Sequence, residues 1–125
     1  MEMKKGLTYT SRCEVTEENV ARTMGSGDLE VLATPAMVAL MENAAMMAVK
    51  AVLPEGSTTV GALLNITHSR PSGMGEQVEA TAVLDEIEGR KLVFSVVARD
   101  SKGVIGEGNH IRYVVDREKF MSKVK

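Results

Sequence analysis

Residues 36–53 read AMVALMENAAMMAVKAVL, and the interpretation of this stretch decides the fold. Only Glu42, Asn43 and Lys50 interrupt eighteen residues of otherwise apolar character. Lys50 stands near the end, where its stem can carry the ammonium out to water. Glu42 stands in the middle. An unpaired carboxylate in an apolar interior costs several kcal/mol, so Glu42 must be exposed, paired, protonated or functional. Thr34 can cap a helix here, Pro35 suits its first turn, and Pro54 with Gly56 ends it. Residues 34–52 then span roughly 28 Å. A helix apolar on nearly every side is expected to be enclosed by other elements. As a membrane span it is barely long enough and carries a charge and an amide at its centre, so no membrane partner is expected.

The enclosing material lies on both sides of it. Residues 7–15 have the pattern of a first strand. Thr16, followed by Glu17 and Glu18, predicts a short helix capped by Thr16 and ending near Met24, before Gly25-Ser26-Gly27. Beyond the long helix, residues 58–68 (TTVGALLNITH) form a predicted strand with Val60, Ala62, Leu64, Ile66 and His68 on one face. Residues 76–87 alternate, with Val78, Ala80, Ala82 and Leu84 on one side and Glu79, Thr81 and Asp85 among the other. Glu88-Gly89 turns the chain into 91–99, where Leu92, Phe94, Val96 and Ala98 share a face. A second turn at 100–103 leads to a strand over 104–115, and 117–125 forms a short helix or tail. Strands of about ten residues extend about 33 Å, the length of the helix. The economical arrangement is α+β: an antiparallel sheet wrapped around one long central helix, the hotdog fold. One such sheet leaves edges and an apolar rim uncovered, so a homodimer or a dimer of dimers is expected.

Composition narrows the function classes. The chain has 125 residues, 44% of them hydrophobic, which suits one domain over 1–125. A net charge of −2 gives no electrostatic case for nucleic acid. The single cysteine, Cys13, has no internal disulfide partner and sits in a strand with no histidine nearby in sequence, so its expected role is structural. The start, MEMKKGLTYT, lacks the apolar core of a secretory signal, and a cytoplasmic location is expected.

Four segments carry a family resemblance: VLATPAMVALMENAA (31–45), NITHSRP (65–71), EGRKLVFSVVARD (88–100) and IGEGNHIRYVV (105–115). Together they resemble the fluoroacetyl-CoA thioesterase-like branch of the hotdog superfamily, from about residue 29 to 124. In that branch a Thr at the helix start, a Glu two turns later and a His on the following strand carry thioester hydrolysis. The resemblance therefore implies Thr34, Glu42 and His68 as catalytic residues, and Gly61 as the source of a backbone amide beside the thioester carbonyl. It implies acyl-CoA as substrate and water as the second reactant, with no metal or redox cofactor. Two departures accompany it. Residues 25–30 (GSGDLE) hold no aromatic side chain where the fluoroacetyl-specific enzyme builds its acyl pocket, and Pro35 replaces a Gly after the Thr, removing one N–H.

The chemistry is coherent residue by residue. His68, with an ordinary pKa near 6.5, can act as base and then acid at neutral pH. Glu42 can attack, orient His68 or activate water. Thr34 at a helix N-terminus can donate to developing negative charge. Each also has a plain structural reading: an N-cap for Thr34, a strand terminator for His68, an ion pair with Arg70 or Arg112 for Glu42. His110 and Arg112 share strand parity and are expected to point the same way, as a solvated or interface pair. The functional option places Arg112 against a CoA phosphate or uses it to position Glu42. The methionines of the long helix are expected to supply adaptable core packing or a malleable acyl surface. The other function class is a non-catalytic acyl-CoA binding or sensing hotdog module. The Asp/His loop of a hotdog hydratase is not present.

Overall fold

A computed structural model describes residues 2–125. Strand β1 (Thr8–Glu14) leads through a short helix α1 (Ala21–Met24) into the long helix α2 (Thr34–Lys50). Strands β2 (Ser57–His68), β3 (Gln77–Glu88), β4 (Lys91–Asp100) and β5 (Gly103–Asp116) follow, and α3 (Arg117–Ser122) ends the chain. The strands form one antiparallel sheet in the order β1-β3-β4-β5-β2, curved around α2. This is the hotdog fold expected from the alternation. Val78, Ala80, Ala82 and Leu84 on β3, and Leu92, Phe94, Val96 and Ala98 on β4, are all buried against the helix layer. Among the described residues no helix is long and apolar enough to cross a membrane.

Three local expectations are corrected. Thr16 caps no helix: its hydroxyl accepts from the Glu18 amide and its own amide donates to Asn19 Oδ1, so 16–19 is a turn and α1 begins only at Ala21. Helix α2 is not enclosed on every side. Met37, Met41, Ala44, Ala45 and Val49 form its buried stripe, while Val38, Leu40, Met46, Met47 and Ala48 are only half-buried and Ala39 is exposed. A sheet on one side covers only a stripe of a helix, so the opposite flank is left bare.

The third correction concerns β2. Gly61 pairs with Arg112 and Leu63 with Ile111, leaving Ala62 as an extra residue in a β-bulge. The side-chain alternation therefore changes phase. Thr59 and Gly61 face inward before the bulge, Leu64, Ile66 and His68 after it, whereas Val60 and Ala62 do not share the face of the last three. Gly106 and Gly108 of β5 lie opposite His68 and Ile66, and a Cβ on Gly106 would stand 2.8 Å from Met37 Sδ. They are close-contact positions between strand, strand and helix.

The loop after His68 is latched to the rest of the fold by Ser72. Its carbonyl accepts from the Leu32 amide at 2.9 Å, and its buried hydroxyl donates to Asp100 Oδ2 at 2.7 Å. The Lys102 amide and Arg70 Nη1 also face Asp100, at 2.8 and 3.6 Å. Burial pushes the Asp100 carboxyl up, but Ser72, Lys102 and Arg70 outweigh it and leave its pKa below 3.8. A depressed carboxyl pKa stabilises the fold above 3.8 and loses that effect as pH falls through the folded value. Ser72→Ala should therefore cost about 1–3 kcal/mol at neutral pH, the range for leaving a buried charged acceptor without its donor. The difference from the parent should shrink below pH 3.8, measured by denaturant unfolding at fixed protein concentration.

Candidate active site

Thr34 is the first residue of α2, not its cap. Ala33 occupies the cap position in extended conformation, held by its amide to Asn19 O at 2.9 Å, and no side chain caps the helix. The Thr34 hydroxyl is thereby free, and it lies 2.8 Å from His68 Nδ1 at the end of β2. The other ring nitrogen, Nε2, is shielded from solvent and hydrogen-bonds nothing. Burial lowers the His68 pKa below 6.5, and the nearby Arg70 backbone opposes only part of that shift. The ring is thus neutral at pH 7, in the state that can accept a proton. Thr34 and His68 share a groove of about 280 Å³ with Ala21, Ser26, Arg70 and Pro71.

Glu42 lies elsewhere. Two turns along α2 from Thr34, about 12 Å, its half-exposed side chain packs over Gly61. It lines a separate cavity of about 200 Å³ with Val38, Gly61, Leu63, Leu64 and His110. A Cβ on Gly61 would stand 2.6 Å from Glu42 Oε2, so glycine is what allows the carboxylate to rest there. Arg112 Nη1 faces the same oxygen at 3.8 Å. The remaining Arg112 donors are committed: Nε to Thr59 Oγ1 at 2.8 Å, and Nη2 to the Thr59 carbonyl at 3.0 Å. Arg70, the other partner considered for Glu42, is turned to Asp100 instead.

His110 and Arg112 are not solvated; they are 1% and 6% exposed. Both lie on the inner face of β5, because the bulge in β2 sets Gly61 opposite Arg112 and Leu64 opposite His110. Arg112 aims at Glu42 and not outward, which favours positioning of Glu42 over contact with a CoA phosphate. Within one chain, then, Thr34 meets His68, and Glu42 meets Gly61 and Arg112. Among the described residues the two groups do not touch. Along β2, Gly61 and His68 are roughly 20 Å apart. Cys13 is half-buried on the edge strand β1, and burial raises its pKa, which suits a structural thiol.

Sequence and fold comparisons place relatives beside this chain. Residues 15–118 match the family described as FlK: Fluoroacetyl-CoA-specific thioesterase. The fluoroacetyl-CoA thioesterase of Streptantibioticus cattleyicolor is 41% identical over 96 residues, 77% of this chain and 69% of that protein. The solved structure of the fluoroacetyl-CoA thioesterase FlK superposes with a TM-score of 0.92 at 34% identity, covering 99% of this chain and 96% of that one. A variant of that enzyme, solved with fluoroacetate and CoA, superposes at 0.88 and 34% identity over 94% of this chain and 99% of its own. A hot-dog-like protein from Thermanaerovibrio acidaminovorans matches at 0.88 and 27% identity, covering 98% of this chain and 90% of that one.

The Glu42–Gly61 contact generates a direct expectation. Gly61→Ala should leave the fold intact, because the far end of the Glu42 side chain can swing away from the new methyl. Displacing that carboxylate should lower kcat by about tenfold to a hundredfold on whichever acyl-CoA the parent hydrolyses, the range for an ångström of misplacement. Circular dichroism with steady-state kinetics checks both halves.

Proposed function

This chain belongs to the fluoroacetyl-CoA-specific thioesterase family, and we propose that it hydrolyses a small acyl-CoA through Thr34, His68 and Glu42. As a family member it is an acyl-CoA thioesterase. The observation that supports the site is the 2.8 Å contact between Thr34 Oγ1 and His68 Nδ1, with Nε2 shielded and unpaired behind it. With the proton on Nε2, Nδ1 accepts from the Thr34 hydroxyl. Thr34 Oγ1 attacks the thioester carbonyl, its proton passes to His68, and His68 returns it to the departing CoA sulfur. Water, activated by the same ring, then releases the acid from Thr34. No metal or redox cofactor takes part in these steps. The acyl group is small, and residues 25–30 offer no aromatic side chain to select fluoroacetyl over other small acyl groups.

The carboxylate comes from a second copy. Edge strand β2 is exposed at Gly61, Ala62 and Leu63, and the flank of α2 beside it is uncovered. Antiparallel pairing of two β2 edges about the point between Leu64 and Asn65 sets residues 61 and 68 opposite each other. Glu42 rides over Gly61, so the same pairing brings Glu42 of the partner subunit toward the Thr34–His68 end of β2. It also brings the backbone amide of Gly61 of the partner subunit beside the thioester carbonyl, as an oxyanion donor. The site is therefore completed in trans by a homodimer or a dimer of dimers. We place the protein in the cytoplasm, a reducing compartment that suits a lone thiol.

Two measurements test this. His68→Ala and Glu42→Ala should each abolish free-thiol release from a panel of acyl-CoAs. Mixed after co-refolding, they should recover roughly a quarter of parental activity, because each mixed dimer holds one intact site. A site contained in one chain recovers none, and CoA esters that raise the melting temperature without turnover in the parent would instead mark a binding module. Separately, kcat/KM should hold steady at neutral pH and fall only below 6.5, as His68 gains its proton.

A further inference from the structure

Arg112 holds Glu42, and a second histidine holds Arg112. His110 Nδ1 lies 2.8 Å from the Leu63 carbonyl, and His110 Nε2 lies 3.2 Å from Arg112 Nη1. A carbonyl can only accept and a guanidinium can only donate. Both contacts are hydrogen bonds only if the ring is neutral, with its proton on Nδ1 and a lone pair on Nε2. Phe94 packs against the ring, its centroid 6.1 Å away, and the ring itself is buried.

The two partners of this ring matter. Leu63 is the residue immediately after the bulge, so its carbonyl marks where β2 changes phase. Arg112 has Nε and Nη2 fastened to Thr59, on β2 before the bulge. His110 and Arg112 together thus span the bulge from both sides, and Nη1 is left between His110 Nε2 and Glu42 Oε2. We propose that His110 is a positioning residue: it fixes the bulged edge that carries Gly61 and aims Arg112 Nη1 at the Glu42 carboxylate. The proposal rests on the reading that Glu42 serves the reaction. Protonation of His110 would turn Nε2 into a donor facing a donor and break the link to Arg112. The charged groups facing the ring are Arg112 from its own strand and Glu42 from α2; Leu63 of β2 and Phe94 of β4 bring none. Burial, joined by the Arg112 charge, lowers the His110 pKa, with the Leu63 carbonyl and Glu42 opposing. The ring therefore stays neutral through the range in which the enzyme would work.

The chain has two histidines, so nitrogen-resolved NMR of the imidazoles is readable, with His68→Ala giving the assignment. His110 should appear as the neutral Nδ1–H form at pH 7. An Nε2–H or doubly protonated ring overturns the proposal. His110→Asn keeps a donor near the Leu63 carbonyl but removes the acceptor for Arg112, and should lower kcat by about tenfold to a hundredfold with KM little changed. His110→Gln reaches the Nε2 position and should recover part of kcat. A purely structural histidine would lower the melting temperature of both variants alike and leave kcat in place, which also overturns it. If His110→Asn does not fold, the parental spectrum and the Gln variant still decide. Glu42→Gln is assayed alongside: parental turnover there sinks the reading of Glu42 itself, whereas inactive Glu42→Gln beside fully active His110→Asn sinks only the role of His110.

Discussion

One sheet can bury only one side of a helix, and the arrangement of this molecule follows from that. The stripe Met37, Met41, Ala44, Ala45 and Val49 satisfies β1, β3 and β4. The half-buried flank of α2 and the bare edge of β2 lie next to one another, with polar residues set along their junction. Thr34 and His68 close one end of that junction, and Glu42, Gly61 and Arg112 the other. Apolar surface left uncovered in one chain is thus continuous with both groups of polar residues. In the proposed dimer, association and catalysis would draw on the same strip of structure.

The two histidines show how placement divides one side chain into two functions. His68 sits at a groove, with one nitrogen on an exposed hydroxyl and the other without a partner. His110 sits in the core, with both nitrogens engaged by groups whose hydrogen-bonding direction cannot change. A proton can come and go at the first at little structural cost. At the second, a proton would set cation against cation beside Arg112, in surroundings that hydrate neither. Burial lowers both pKa values, yet only His68 has a ring nitrogen on a side-chain hydroxyl.

Much of this was legible from residue order. Alternation located β3 and β4 to within a residue or so, since every second side chain is buried from Val78 to Leu84 and from Leu92 to Ala98. Pro35 and the apolar run located α2. Its one-sided burial was not legible, because Leu40, Met46 and Met47 are as apolar as the residues that are covered. The bulge at Ala62 was invisible for a different reason. Residues 58–68 alternate acceptably in either phase, and what breaks the phase is hydrogen bonding from β5, through His110 and Arg112. That error carried into the site: with an unbroken strand, Gly61 and His68 would point to opposite faces. Thr34 was legible as a helix start but not as a free hydroxyl, because Ala33, which no propensity favours as a cap, takes the cap position. The grouping of Glu42 with Arg112 rather than His68 depends on all of these together.

His68 stands an odd number of positions after Gly61, and a regular strand would place the two on opposite faces. Ala62 supplies the one residue that returns both to the same face. Seen as heredity, this makes the strand asymmetric in what it tolerates. Many single replacements of Ala62, an exposed alanine, change little, while loss of its codon would turn half the strand inside out. The information at that position is the presence of a residue more than its identity, and comparison of sequences column by column would score it as unconstrained.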